Sequence, residues 1–212
     1  MGTSKSNISK KVKDILKDKP ISELKNMAPE VTKKVLSKRT INSQLIEENR
    51  IFNSINLIVT KINNISNVGG FNGKTKEELL NDKVTLEEFL NMILDQIEEN
   101  GFLNKTLLEK AYKIAMTECL KLDEIDINIF SKLLFYHLIK QILYKDLYDT
   151  LKNIYPDFPY EKINQIIENV ANQIINNSVY SLIEQFVAKK IPLSDVINRI
   201  VSETSHATFG EF

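Results

Sequence analysis

Three kinds of side chain in this chain of 212 residues are equipped for chemistry: a Gly-Lys-Thr triplet, two histidines and one cysteine. The triplet closes the stretch Val68-Gly69-Gly70-Phe71-Asn72-Gly73-Lys74-Thr75. A phosphate-binding loop needs Gly, four residues, then Gly-Lys-Ser/Thr. Its glycines let backbone N–H groups point at phosphates, and its hydroxyl holds magnesium. Gly73-Lys74-Thr75 fits the end of that pattern, but Val68 stands where the first glycine is required. The loop should also follow a buried strand. Ile51, Ile55, Ile58, Ile62 and Ile65 instead recur at helical spacing. A partner strand ending in Asp is missing too, because Met92-Ile93-Leu94-Asp95 lies inside an amphipathic helical pattern. The stretch therefore reads as a hinge between helical blocks.

His137 and His206 are the only histidines, so a histidine-based metal site or triad would have to use one of them. His137 sits in Phe135-Tyr136-His137-Leu138-Ile139, the most apolar helical stretch, and reads as a core histidine with one hydrogen bond. His206 falls in a polar C-terminal stretch. Cys119, among Met116, Leu120 and Leu122, reads as a buried inert thiol, and a lone cysteine excludes an internal disulfide or a multi-cysteine zinc site. Glu87-Glu88, Glu98-Glu99 and Asp123-Glu124-Ile125-Asp126 are carboxylate clusters. The last resembles the start of a calcium loop, but the glycine and closing Glu are absent at the required spacing. Solvated faces and helix caps account for all three. No catalytic residue, metal ligand or cofactor is expected, and the chain reads as a non-enzyme.

The remaining candidates are cationic or lipidic. Lys10, Lys11, Lys13, Lys33 and Lys34 are candidate phosphate contacts. Nucleic-acid readers usually mix Arg and aromatics into such a stretch. Here Arg39 is the one arginine, and no aromatic precedes Phe52. Met1-Gly2-Thr3-Ser4-Lys5-Ser6 fits an N-myristoylation pattern, with Gly2 as acceptor and nearby lysines as a second, electrostatic anchor. The same start, and Glu211-Phe212 at the other end, equally suit residues left by cloning.

The elements that must position these residues are helical throughout. Apolar residues recur at three- and four-residue spacing, alternation is scarce, and Gly (6) and Pro (5) are few. The predicted class is all-α, with about eight or nine helices. The first ends before Pro20. Pro29 opens a long pattern through Val31, Val35, Ile41, Leu45, Phe52, Ile55, Val59 and Ile62, with a break near Thr40. Thr85-Leu86-Glu87-Glu88 reads as a capping box, and Asn100-Gly101 ends its helix. Asp126 caps the next long helix, which stops at Pro156. Pro159 restarts the chain, with a bend at Asn176-Asn177-Ser178, and Ser194 caps a short last helix. The predicted organisation is a basic N-terminal helical arm (1–66), a glycine-rich hinge (67–76), a C-terminal bundle (77–204) and a loose tail (205–212).

Charge is balanced at 28 basic and 28 acidic residues, but unevenly placed. Residues 1–66 hold 13 Lys/Arg against 6 Asp/Glu, and residues 77–130 hold 5 against 13. Such asymmetry points either to faces that attract each other or to separate partners. The abundance of Asn, Ile and Lys is what an AT-rich coding sequence produces, so the lysines alone do not name a ligand. The most apolar stretch, Ile129 to Leu143, is shorter than a membrane span, and no secretory leader is read ahead of Ile8. An intracellular or virion setting is the expectation.

Ile41, Leu45, Phe52, Ile55, Val59 and Ile62 follow four-and-three spacing with a gap at Glu48, which suits a helix-pairing seam. Packing inside the chain's own bundle explains the same spacing equally well. The functional expectation is a structural or interaction protein, a subunit of a larger assembly such as a phage or viral particle, with protein partners or self-association. The alternative is a regulatory nucleic-acid-binding protein that uses the basic arm.

Overall fold

The computed structural model describes residues 3–68, 70–99 and 106–210. These form eleven α-helices: α1 Thr3–Leu16, α2 Ile21–Val35, α3 Lys38–Gln44, α4 Glu48–Val68, α5 Lys76–Asn81, α6 Lys83–Glu99, α7 Thr106–Cys119, α8 Ile127–Ile154, α9 Tyr160–Ile174, α10 Asn177–Val187 and α11 Leu193–Glu203. A 3-10 turn, Thr204–His206, follows α11. The all-α class holds, and among the described residues there is no strand. The helix count exceeds the expected eight or nine, because local hydrogen bonds divide stretches whose apolar period is unbroken.

Two of these divisions lie in the pattern that follows Pro29. Ser37 offers its hydroxyl to the Thr40 N–H (3.2 Å), so the chain leaves α2 and starts α3 there. After Leu45 the Glu47 carbonyl accepts the Arg50 and Ile51 N–H groups (2.9 and 3.0 Å) and opens α4. Pro29 does not start a helix but lies inside α2. A proline there removes the donor for the Lys25 carbonyl, and Lys25 is exposed, so water can serve it. The third division falls at Asn176, whose Oδ1 accepts the N–H groups of Ser178 (3.0 Å) and Val179 (3.4 Å) and so caps α10.

Capping also corrects the reading of Thr85. Asp82 caps α6 through the N–H groups of Val84 and Thr85 (3.1 and 3.3 Å), and Thr85 lies inside the helix. The capping box is Thr75 with Glu78, at α5. Asp126 does cap α8, accepting the Ile129 N–H at 2.7 Å. Pro159 and Pro192, with extended backbones, precede α9 and α11, so Ser194 sits in the first turn of α11 rather than at its cap. The expected stop at Asn100-Gly101 lies outside the described residues.

The chain divides into two compact units, neither of which is the 1–66 arm. Unit 1 comprises Met1–Ser43, Ile139–Leu182 and Ile191–Phe212. Here α2 packs on α1 and on the 3-10 turn, which also packs on α9 and α11. Val12 and Leu16 of α1 are fully buried, so the N-terminal helices are part of a core. α9 turns Ile163, Ile167, Val170 and Ile174 inward at helical spacing. Each such side chain contributes roughly 2 kcal/mol by leaving water. The Tyr155 hydroxyl donates to the Lys19 carbonyl (3.2 Å) and ties α8 to the turn after α1. The residues expected to form a loose tail are packed as well. Ala207 and Phe209 are buried, and Thr208 exchanges hydrogen bonds with the Gln173 amide (2.7 and 3.1 Å).

Unit 2 comprises Gln44–Leu138 and Ile183–Lys190. α4, α6 and α7 pack on one another, with α5 against α6. Phe89, Tyr112, Phe130 and Phe135 fill the core, and Phe135 meets Phe186 edge-on at 6.3 Å between ring centroids. Tyr112 is fully buried with its hydroxyl on Ser54 Oγ. Since the Ser54 proton goes to the Ile51 carbonyl (2.8 Å), Tyr112 is the donor to Ser54. No helix among the described residues is long and apolar enough to cross a membrane.

Candidate functional site

The glycine loop is where the sequence comes nearest to a named chemistry. Among its described residues, Phe71 and Lys74 exchange backbone hydrogen bonds (2.9 and 3.0 Å). Asn72 and Gly73 between them both have positive φ, 53° and 76°. That is a type I′ turn, and Asn-Gly is its preferred pair. Gly70, at φ 97°, is held against this turn so closely that a Cβ would overlap the Lys74 carbonyl. The Phe71 ring packs on Phe89 of α6, 5.2 Å between centroids.

Lys74 and Thr75, the pair that would bind phosphate and magnesium, are both engaged within the fold. Lys74 Nζ donates to the Asp82 carboxylate and to Thr85 Oγ1, the latter at 2.9 Å. Thr75 Oγ1 accepts the Glu78 N–H at 3.3 Å, and Glu78 reaches back to the Thr75 N–H at 2.8 Å. Lys74's hydrogen bond, followed by those from Thr85, holds the Asp82 carboxyl well below the usual carboxylate range. The Thr75 hydrogen bonds lower Glu78. α4, a helix of 21 residues, precedes the loop where a phosphate site would have a strand. The arrangement is a corner that joins α4, α5 and α6.

His137 is buried on α8, with Nε2 3.0 Å from Glu118 Oε2 of α7. Among the described residues Nε2 makes no hydrogen bond. Tyr136 stands edge-on to the imidazole at 5.1 Å. Cys119, the neighbour of Glu118, is buried, and burial first, then Glu118 and Asp126, pushes its thiol up to about 12. It is a poor nucleophile. His206 is exposed beside Ser205 Oγ, 3.3 Å from Nδ1. Among the described residues no group of three or more His, Cys, Asp or Glu is placed to hold a metal ion.

The seam residues do not share one helix. Ile41 is in α3 of unit 1, Leu45 lies between α3 and α4, and Phe52, Ile55, Val59 and Ile62 are on α4 of unit 2. Ile41, Leu45, Ile55 and Ile62 are buried in those units, and Phe52 and Val59 are half-buried. Lys189 Nζ lies 4.1 Å from the centroid of the Phe52 ring, a cation–π contact. Four-and-three spacing serves an internal core and an external partner alike. Gly2 lies outside the described residues.

The candidate phosphate lysines are all exposed: Lys10, Lys11 and Lys13 on α1, Lys33 and Lys34 on α2. None of the five takes part in an ion pair among the described residues, whereas Lys113, Lys132 and Lys140 are paired at 2.6 Å with Glu87, Glu184 and Glu168. Lys10 and Lys13 also line a cleft of about 310 Å³ in unit 1, together with Ser9, Thr150 and Asn153.

Two constellations escaped sequence reasoning because each joins residues distant along the chain. Tyr144 and Tyr148 of α8 stack at 5.0 Å, Tyr160 of α9 meets Tyr148 at 5.6 Å, and the Tyr144 hydroxyl donates to that of Tyr160 (3.4 Å). The i,i+4 spacing of the first pair was the only available signal. The second is a buried carboxylate. Glu203 accepts from Asn176 Nδ2 (2.7 Å) and Arg199 (2.7 Å), and Arg199 Nε donates to Ser178 Oγ (3.0 Å). Compared with known proteins, the chain matches no family model, no curated protein and no solved structure.

Proposed function

We propose that this chain is a non-enzymatic helical interaction protein, a subunit that works by presenting charged helix faces to a protein partner or to a second copy of itself. The observation that carries this reading is the distribution of charge over the two units. Unit 1 holds sixteen Lys/Arg against twelve Asp/Glu, and unit 2 holds twelve against sixteen, so the net charges are +4 and −4. Opposite potentials of this kind steer association and set orientation. The side chains with chemical potential support the same reading, since Lys74, Thr75 and Cys119 are all engaged or buried inside the fold.

A second reading is favoured by the five lysines that make no ion pair among the described residues: nonspecific nucleic-acid binding along α1 and α2. Retention on a nucleic-acid column that falls steeply with salt would support it.

Size-exclusion chromatography with light scattering over a range of concentration tests the first reading. A defined oligomer, or a concentration-dependent mass, is expected. A monomer at every concentration, with no change on adding an isolated protein partner, would overturn it.

A further inference from the structure

We infer that α1 of one copy docks along α6 of a second copy in a head-to-tail contact. This rests on the interaction-protein reading and names its partner and its surfaces. On α1, Lys10, Lys13 and Lys17 form a row at i, i+3 and i+7. Lys17 lies just past the helix end, but its N–H still bonds the Lys13 carbonyl (2.8 Å), so the helical phase carries through it. All three are exposed and take part in no ion pair among the described residues. Asp14 borders the row on one side.

On α6, Val84, Glu88, Asp95 and Glu98 follow one another at i, i+4, i+11 and i+14 and are exposed. The three carboxylates take part in no ion pair among the described residues, unlike the adjacent Glu87, which binds Lys113 at 2.6 Å. Val84 is 69% exposed and gives the row an apolar end.

The two rows match in length. Lys10 to Lys17 and Glu88 to Asp95 each span seven residues, about 10 Å along a helix axis. The cleft of about 310 Å³ beside Lys10 and Lys13 adds hydrogen-bonding groups, from Ser9, Thr150 and Asn153, at the place where an incoming carboxylate would arrive. A protein partner suits the lysine face better than a nucleic acid. Its lysines alternate with Asp14, Asp18, Glu23 and Glu30, and Arg39 is the sole arginine of Met1–Ser43. A contact between unlike surfaces leaves one of each free at every step, so it builds chains or rings rather than closed dimers.

The test is a charge reversal on each surface, read by sedimentation velocity at low ionic strength. Lys10→Glu with Lys17→Glu, and separately Glu88→Lys with Asp95→Lys, should each weaken self-association by about tenfold or more. All four changes in one chain should restore it. All sites are exposed, and unchanged circular dichroism and Tm would verify the fold of each variant. Wild-type association that neither reversal alters would overturn this inference and leave the interaction-protein reading standing. A wild-type monomer would remove self-association from both. A wild-type monomer retained on a nucleic-acid column through Lys10 and Lys17 would assign the lysine row to a polyanion and overturn the inference.

Discussion

Lys74 Nζ bridges the Asp82 carboxylate and the Thr85 hydroxyl, and so fastens the turn before α5 to the first turn of α6. In a complete phosphate-binding loop the corresponding lysine is free to reach phosphate. Here it is a strut. Lys74→Ala should lower Tm, and magnesium-ATP should leave the wild-type Tm unchanged, both by thermal-shift measurement. A magnesium-dependent rise in Tm that disappears in Lys74→Ala would restore the nucleotide reading.

The same corner sets an acid response. The folded Asp82 carboxyl is held below its ordinary range by Lys74 and then Thr85. A carboxylate with a depressed folded pKa adds stability above its unfolded pKa of about 4. That stability is lost as pH falls from there toward the folded value. Glu78 acts in the same direction through Thr75. Melting curves of wild type should therefore drop below about pH 4, and Asp82→Asn should start lower at neutral pH and drop less steeply. Parallel curves for the two proteins would refute this.

Gly70 and Thr75 are the backbone specialists of the loop. Gly70→Ala meets both a positive φ and the Lys74 carbonyl, and should cost more than about 1 kcal/mol in urea unfolding. Thr75→Ala removes the α5 cap and should cost about 1 kcal/mol. If Gly70→Ala proved neutral, the close approach at Lys74 would be wrong.

Ser54 and Tyr112 form a buried pair in unit 2. Ser54→Ala leaves the Tyr112 hydroxyl without its acceptor and should cost about 1–3 kcal/mol. Tyr112→Phe leaves Ser54 bonded to Ile51 and should cost less. The double variant should cost less than the sum of the two, as a double-mutant cycle would record.

Cys119 should react with a thiol reagent at pH 8 at least about a hundredfold more slowly in the native protein than in denaturant, because its thiol is buried and pushed up to about 12. Rapid native labelling would place the thiol at the surface. In unit 1, Phe209→Ala should cost about 3 kcal/mol, a penalty that a loose tail would not show.

Much of the architecture was legible along the chain. Helical periodicity identified the all-α class, Asp126 marked where α8 begins, and Pro156 and Pro159 marked where α8 ends and α9 begins, because caps and prolines act within a few residues. The break near Thr40 and the bend at Asn176 were legible, but the break at Glu47 was not, since the apolar period continues across it and only local hydrogen bonds decide. Thr85 and Thr75 show the same limit. Both head a Thr-x-x-Glu pattern, and the neighbour Asp82 decides which of them caps.

The sequence by itself determined the helical class, the turn chemistry of Asn72-Gly73 and the charge carried by each stretch, because these follow from side-chain type and short-range spacing. Tertiary structure alone decided that Lys74 meets Asp82, that Phe209 is core, and that four of the six seam residues face inward. It also decided which lysines keep their charge unpaired. Periodicity says that a face is apolar or charged, but what that face meets depends on contacts between segments distant along the chain.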